Sequence, residues 1–169
     1  EFRHLVREAI AQDLPPDMAA RQKSFSGVNS DPADSRAWAA ILHKRGWSAP
    51  HWPVEYGGTG WSPMQLYAFN DEMASAWAPE TCLAVTHMCG PVIYTFGSDA
   101  MKRRFLPGFL DGSFFVAQGS SEPGNGSDLA RLRTSAERRN DTYLVNGQKI
   151  WTSSAHASDW GFFLVRTDP

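Results

Sequence analysis

The sequence predicts an α+β chain, with an all-α front half over residues 1–112 and a β-rich second part over residues 113–169 that holds too few strands to close a sheet on itself. Two observations carry this. As far as Leu106-Pro107, apolar residues recur at helical spacing in successive segments that open or close on capping residues, glycine or proline. From Ser113 onward the pattern turns to short runs rich in Phe, Val, Tyr and Thr, divided by turn residues. A chain of 169 residues is long enough to bury a real core as one domain or two small ones. No repeat, low-complexity tract or long linker interrupts it, so the boundary near residue 112 is a change of architecture rather than a flexible tether.

Taken in order, Phe2, Leu5, Val6, Ala9 and Ile10 make an amphipathic first helix that Leu14-Pro15-Pro16 ends. Asp31 before Pro32 reads as an N-cap with proline at the first helical position, and Trp38, Ile41 and Leu42 give that helix an apolar face before Gly46. Ser62-Pro63-Met64-Gln65 has capping-box spacing, and Leu66, Phe69 and Met73 carry its helix to about Trp77. A fourth helix runs from about Thr81 to Gly97, bent at Gly90-Pro91. Ser98 caps a fifth, carrying Met101 and Phe105, which stops near Leu106-Pro107. In the second part, residues 114–118 and 132–138 read as strands, Tyr143-Leu144-Val145 and residues 148–152 as a hairpin around Asn146-Gly147, and residues 160–166 as a final strand.

Composition removes several function classes. Formal net charge is −2 with both signs interspersed, which leaves no electrostatic footprint for nucleic acid or anionic lipid. The longest apolar runs, such as Phe114-Phe115-Val116-Ala117, are strand-sized and far short of a membrane span. Cys82 and Cys89 lie seven positions apart on a helix, about 10 Å along its axis and beyond disulfide reach, which fits reduced residues in a cytosolic or matrix-like compartment. No signal-peptide pattern opens the chain, and the two Asn-x-Ser/Thr triplets at Asn125 and Asn140 are discounted as chance matches. The five histidines show no paired metal-ligand spacing, and neither the dinucleotide fingerprint nor the phosphate-loop sequence is present.

Two loops carry the candidate chemistry. Residues 120–128, Ser-Ser-Glu-Pro-Gly-Asn-Gly-Ser-Asp, combine glycines that let backbone N–H groups approach a flat or anionic ligand with hydroxyls that donate or accept as its edge demands. The same composition also makes ordinary surface turns. Trp151-Thr152-Ser153 likewise reads either as a ligand-facing element or as a core aromatic with an amphipathic edge. Glu122 is the obvious candidate for a general base in this region.

Ser121-Glu122-Pro123 through Gly126-Ser127-Asp128, followed by Asn146-Gly147-Gln148-Lys149-Ile150-Trp151-Thr152-Ser153, resembles the two flavin-contacting segments of the acyl-CoA dehydrogenase family in order and spacing. Pro53-Val54-Glu55-Tyr56-Gly57-Gly58-Thr59-Gly60 and the stretch from Gly97 through Leu106-Pro107 to Gly112 are similar to family signatures too, so the resemblance spans about residues 40–169. It implies an N-terminal helical domain followed by the first part of a middle antiparallel β-barrel domain, left incomplete here, with the family's C-terminal helical domain beyond residue 169. It implies FAD as cofactor, lined by Gln118, Ser120, Ser121, Gly126, Ser127, Trp151, Thr152 and Ser153, with Ser127 also facing the acyl-CoA substrate. Ser121 and Ser153 stand where the family carries threonine, which keeps the hydroxyl and loses the methyl that fixes its rotamer. Gln118 replaces an aromatic of some members and Thr152 an apolar residue.

The activity implied is α,β-desaturation of an acyl-CoA thioester, as in fatty-acid β-oxidation, with an electron-transfer flavoprotein or similar acceptor as partner and a homo-oligomer, dimer or tetramer, as the assembly. The resemblance makes Glu122 a loop-structuring residue and places the catalytic base on a glutamate downstream of residue 169, so no catalytic residue is expected in this span and the segment alone is expected to be inactive. The alternatives are a flavin oxidase or monooxygenase of the same fold, and a non-catalytic subunit that completes a partner's flavin site.

Overall fold

The computed structural model describes residues 1–25 and 30–168. The chain divides into two compact units, Glu1–Phe115 and Val116–Pro169. The first is helical and the second carries a partial, unclosed β structure.

In the helical unit, α1 (Phe2–Asp13) buries Val6, Ala9 and Ile10. The Pro15-Pro16 pair that ends it also begins another helix, α2 (Pro16–Ser24), which the sequence reading did not expect. A proline at the first helical position costs nothing, because its missing N–H has no partner there anyway. Helix α3 (Pro32–Lys44) opens on the predicted cap, the Asp31 carboxylate accepting from the Ala33 N–H at 2.9 Å, and buries Trp38, Ala39 and Leu42. It closes in a Schellman turn: Gly46 adopts φ +71°, its N–H donates to His43 O, and the Trp47 N–H reaches back to Leu42 O. Helix α4 (Pro63–Ser75) has the full capping box between Ser62 and Gln65. Val6, Ile10, Met18, Trp38, Leu42, Phe69 and Ala78 form one core cluster of this unit. Glu72, buried on α4, is clamped by Arg7 and Arg3 of α1 at 2.7 Å each, and these two guanidinium groups pull its carboxyl down to about 2.

The expected helix near 81–97 has an unusual middle. Residues Ala84–Cys89 form a π-helical stretch that runs into α5 (Gly90–Phe96). Pro91 explains it. In the widened turn the Gly90 N–H donates to Val85 O, five residues back, so the Thr86 carbonyl would next look to residue 91, where proline has no N–H. The freed carbonyl is taken from outside: Trp52 Nε1 donates to it at 2.6 Å and His51 Nε2 lies 3.0 Å from it. A side chain on Gly90 would collide with the Trp52 ring, so glycine there is what lets the indole approach. Helix α6 (Asp99–Leu110) starts on Ser98 as predicted but does not stop at Pro107. It continues one turn because burying Leu106 and Phe109 on the same face outweighs the hydrogen bond that Pro107 cannot make.

The β unit departs from expectation in its pairing. Strand β1 (Val116–Gly119) pairs in parallel with β4 (Trp160–Phe163), from Val116 opposite Trp160 to Gly119 opposite Phe163. Strands β2 (Ser135–Arg139) and β3 (Thr142–Asn146) form the antiparallel hairpin. Its turn is Asn140-Asp141, not Asn146-Gly147, and residues 148–152 are a loop rather than a return strand. Asparagine tolerates the left-handed φ of +55° that the tight turn demands, so Asn140-Asp141 serves as well as an Asn-Gly pair. Strand β4 ends at Phe163, and beyond it Arg166 bridges back to Ser135.

Candidate functional site

The site is built at the end of β1, where the chain leaves the sheet into the loop 120–128. Pro123-Gly124 form the tip of a tight turn closed by Glu122 N–H to Asn125 O at 2.8 Å and Asn125 N–H to Glu122 O at 3.1 Å. The turn folds the Glu122 side chain inward, leaving the residue 6% exposed. Its two carboxylate oxygens accept from the Arg133 N–H at 2.6 Å, the Thr134 N–H at 2.8 Å and the Lys149 ammonium at 2.9 Å. The Thr134 hydroxyl beside it, these backbone donors and Lys149 outweigh burial and hold the Glu122 carboxyl down at about 2. A carboxylate so stabilised in its charged form is a poor proton acceptor. Its role is to organise the loop.

Lys149 makes the connection between the two loops. Its ammonium bonds both Glu122 and the Ser120 carbonyl, the latter at 3.0 Å, and both side chains of the ion pair are almost fully buried. One residue on, the Ile150 N–H donates to Ser121 O at 3.0 Å. A side chain on Gly119 would strike the Phe163 ring, so the glycine lets β4 close over the root of this junction. Lys149 belongs to the second loop's motif, and its function is visible only in the structure. Burial of both partners, which a short sequence pattern does not encode, is what sets this lysine apart.

Of the eight residues expected at the site, Gln118, Ser120 and Ser121 lie together at this junction, half-buried, with Gln118 Nε2 donating to Ser120 Oγ at 3.1 Å. Trp151 follows Ile150 directly and is 84% exposed, in a left-handed backbone conformation at φ +57° that a large side chain seldom adopts. It is therefore not a core aromatic of this unit. Thr152 is half-buried and Ser153 exposed, and Thr152 O accepts from the Ala155 N–H in the turn that follows. Gly126 and Ser127 sit on the exposed arm of the first loop, and among the described residues no hydrogen bond ties them to Trp151, Thr152 or Ser153. Asn125 Nδ2 is buried without a hydrogen-bond partner among the described residues. Among the described residues no group of His, Cys, Asp or Glu is placed to hold a metal ion, and no helix is long and apolar enough to cross a membrane.

A helical unit followed by a partial β unit whose two hydroxyl-rich loops are locked by a buried ion pair matches one family throughout. Residues 1–113 match the N-terminal domain of acyl-CoA dehydrogenases and residues 117–169 the middle domain, so the chain belongs to the acyl-CoA dehydrogenase family. It is 41% identical to the acyl-CoA dehydrogenase IpdE1 of Mycobacterium tuberculosis, over 99% of this chain and 44% of that protein. The solved ChsE4-ChsE5 complex from Mycobacterium tuberculosis superposes with a TM-score of 0.82 at 39% identity, covering 99% of this chain and 42% of the other. The Tcur3481-Tcur3483 steroid ACAD gives 0.83 at 34%, with the same coverage. The chain thus spans less than half the length of the relatives it matches.

Proposed function

We propose that this chain forms the front of an FAD-dependent dehydrogenase that introduces an α,β double bond into a bulky acyl-CoA thioester. The observation that carries the reading is the Lys149–Glu122 ion pair with the Ile150–Ser121 hydrogen bond, which fixes the two hydroxyl-rich loops side by side. The donor set fits a flavin: hydroxyls at Ser120, Ser121 and Ser153, an unpartnered Asn125 amide, and glycines at 124 and 126 beside which nothing lies within 4 Å of an added Cβ. Gln118, Ser120, Ser121, Gly126 and Ser127 would hold the cofactor from the first loop and Trp151, Thr152 and Ser153 from the second, Ser127 also meeting the thioester. Trp151 would lose its solvent exposure against the ring system. Bound FAD supplies the two-electron acceptor for oxidation of the α–β carbon–carbon bond. The residues of this chain bind, orient and exclude water, and the proton-abstracting carboxylate belongs to another part of the whole protein.

The Tcur3481-Tcur3483 steroid ACAD supports a fused-ring substrate class, and the two-chain make-up of that protein and of the ChsE4-ChsE5 complex supports an assembly with a second, different chain. That favours a hetero-oligomer over the homotetramer expected from the family at large; an electron-transfer flavoprotein is the electron acceptor the family membership implies. Purified intact protein is expected to show flavin absorbance, and to co-purify with a second family chain when the two are expressed together. Ser153→Ala is expected to weaken flavin binding by about 1 kcal/mol, one hydrogen bond. A colourless protein that takes up no added FAD overturns the reading.

A further inference from the structure

Asn146-Gly147 takes no part in the hairpin turn, and its surroundings suit it to a reaction of its own. Asn146 is the last paired residue of β3, opposite Ser135, and both it and Gly147 are exposed. Among the described residues neither the Asn146 side-chain amide nor the Gly147 N–H makes a hydrogen bond. The Gly147 nitrogen and Asn146 Cγ can therefore meet in a five-membered ring, and glycine has no Cβ to obstruct the approach. Other asparagines of this unit are placed differently. Asn125 also precedes a glycine, but its N–H and its carbonyl are both bonded to Glu122 and it is only 9% exposed. Asn140 is exposed in the hairpin turn, yet Asp141 follows it, and a side chain there hinders attack. What comes after Asn146 is tightly constrained. A side chain on Gly147 would collide with Thr134, the Thr134 N–H donates to Glu122 at 2.8 Å, and Glu122 holds Lys149 at 2.9 Å. Residues 147–149 thus close a short circuit from the end of β3 to the buried ion pair.

We propose that Asn146 is a site of spontaneous deamidation and that its isoaspartyl product undoes the junction between the two loops. The Gly147 nitrogen attacks Asn146 Cγ, the new N–Cγ bond closes a succinimide, and the Cγ–Nδ2 bond breaks. The proton lost by the Gly147 nitrogen leaves with Nδ2 as ammonia. Water then opens the ring. Hydrolysis at Cγ gives aspartate, and hydrolysis at the main-chain carbonyl gives isoaspartate, in which the chain runs through Cβ and Cγ. The second product inserts one carbon into the main chain, about 1.5 Å of bond length, whereas N–H···O hydrogen bonds span a range of only about 0.5 Å. Three residues on, the Lys149–Glu122 contact and the 3.0 Å Ile150–Ser121 bond have no slack to absorb it. The chemistry is independent of the flavin reading. Only its consequence, weaker retention of the cofactor by a loosened junction, rests on that reading.

The test ages the intact protein in mildly alkaline buffer and follows it by proteolysis and mass spectrometry. The peptide holding Asn146 is expected to gain the mass of an amide-to-acid exchange at least about tenfold faster than the peptide holding Asn125, where attack first needs the turn to open. Hydrogen exchange at the Ile150 amide is expected to quicken about tenfold in the isoaspartyl fraction. Asn146→Gln, whose longer side chain would have to close a six-membered ring, should age without conversion and keep slow exchange. Asn146→Asp carries the charge without the extra carbon and should match fresh protein. Conversion that begins at Asn125, or none at all, overturns the site. Fast exchange in fresh Asn146→Asp, or slow exchange in the isoaspartyl fraction, overturns the lengthened main chain as the cause. Flavin absorbance measured on the same samples reports separately on the dehydrogenase reading, so either conclusion can fail alone.

Discussion

The Thr86 carbonyl gives a sharp test of how the π-helical stretch is held. Two donors converge on that oxygen from outside the helix, Trp52 Nε1 at 2.6 Å and His51 Nε2 at 3.0 Å, and Thr86 itself is only 3% exposed. Changing His51 to Phe removes one of them while the shorter bond remains, which should cost about 0.5 kcal/mol. Changing Trp52 to Phe removes the shorter bond, about 1 kcal/mol, and leaves unfilled the space that the indole occupies against Gly90, a further ~1–2 kcal/mol. In the double variant the buried carbonyl has no donor at all, and an orphaned buried acceptor carries an extra penalty of roughly 1–3 kcal/mol. The two substitutions should therefore be non-additive, with the double variant at least about 1 kcal/mol worse than the sum of the singles. Urea denaturation of the four proteins, read as midpoint shifts at constant m-value, measures the cycle. Additivity within about 0.5 kcal/mol would show that water satisfies the carbonyl once the donors go, and the account of the π-helical stretch would be wrong.

Acid stability tests the loop junction. The Glu122 carboxyl lies near 2 in the folded chain against an ordinary value of 4.5, so its contribution is fully present above about 4.5 and is lost as pH falls from there towards 2. Lys149→Met removes a group that keeps it low, and the acid transition of the β unit, followed by circular dichroism, is expected to move to higher pH. An unshifted transition would mean that the backbone donors suffice alone. Asp31→Ala deletes the side-chain acceptor at the start of α3 and is expected to cost about 1 kcal/mol, while Asp31→Asn should be nearly silent; equal losses in thermal melts would point to charge rather than capping.

What could be read from the sequence was what depends on near neighbours. Asp31-Pro32 and Ser62 with Gln65 specify their caps within three or four residues, and the structure has both. Prolines were read less well because their effect is positional. At Pro16 the residue begins a helix, and at Pro107 tertiary burial of Phe109 carries the helix past it. Strand pairing was the larger loss. Nothing local distinguishes Asn140-Asp141 from Asn146-Gly147 as the hairpin turn, and the partner of β1 lies at the far side of the hairpin. The loops at the site were legible as motifs, whereas the lysine that joins them is defined by burial, which no short pattern encodes.

The parallel pairing of β1 with β4 has a bearing on how the protein is made. Val116 meets Trp160, some 44 positions later in the chain. At synthesis rates of about 5–20 residues per second, β1 waits roughly 2–9 s for its partner to be translated, longer than a hairpin such as β2–β3 needs to form. During that interval Val116 and Ala117, buried in the finished fold, have no strand to pair with. The nascent chain therefore passes through a stage that invites chaperone binding and intermolecular strand exchange, and the yield of soluble protein should respond to slower translation or lower temperature before any change in its equilibrium stability is visible.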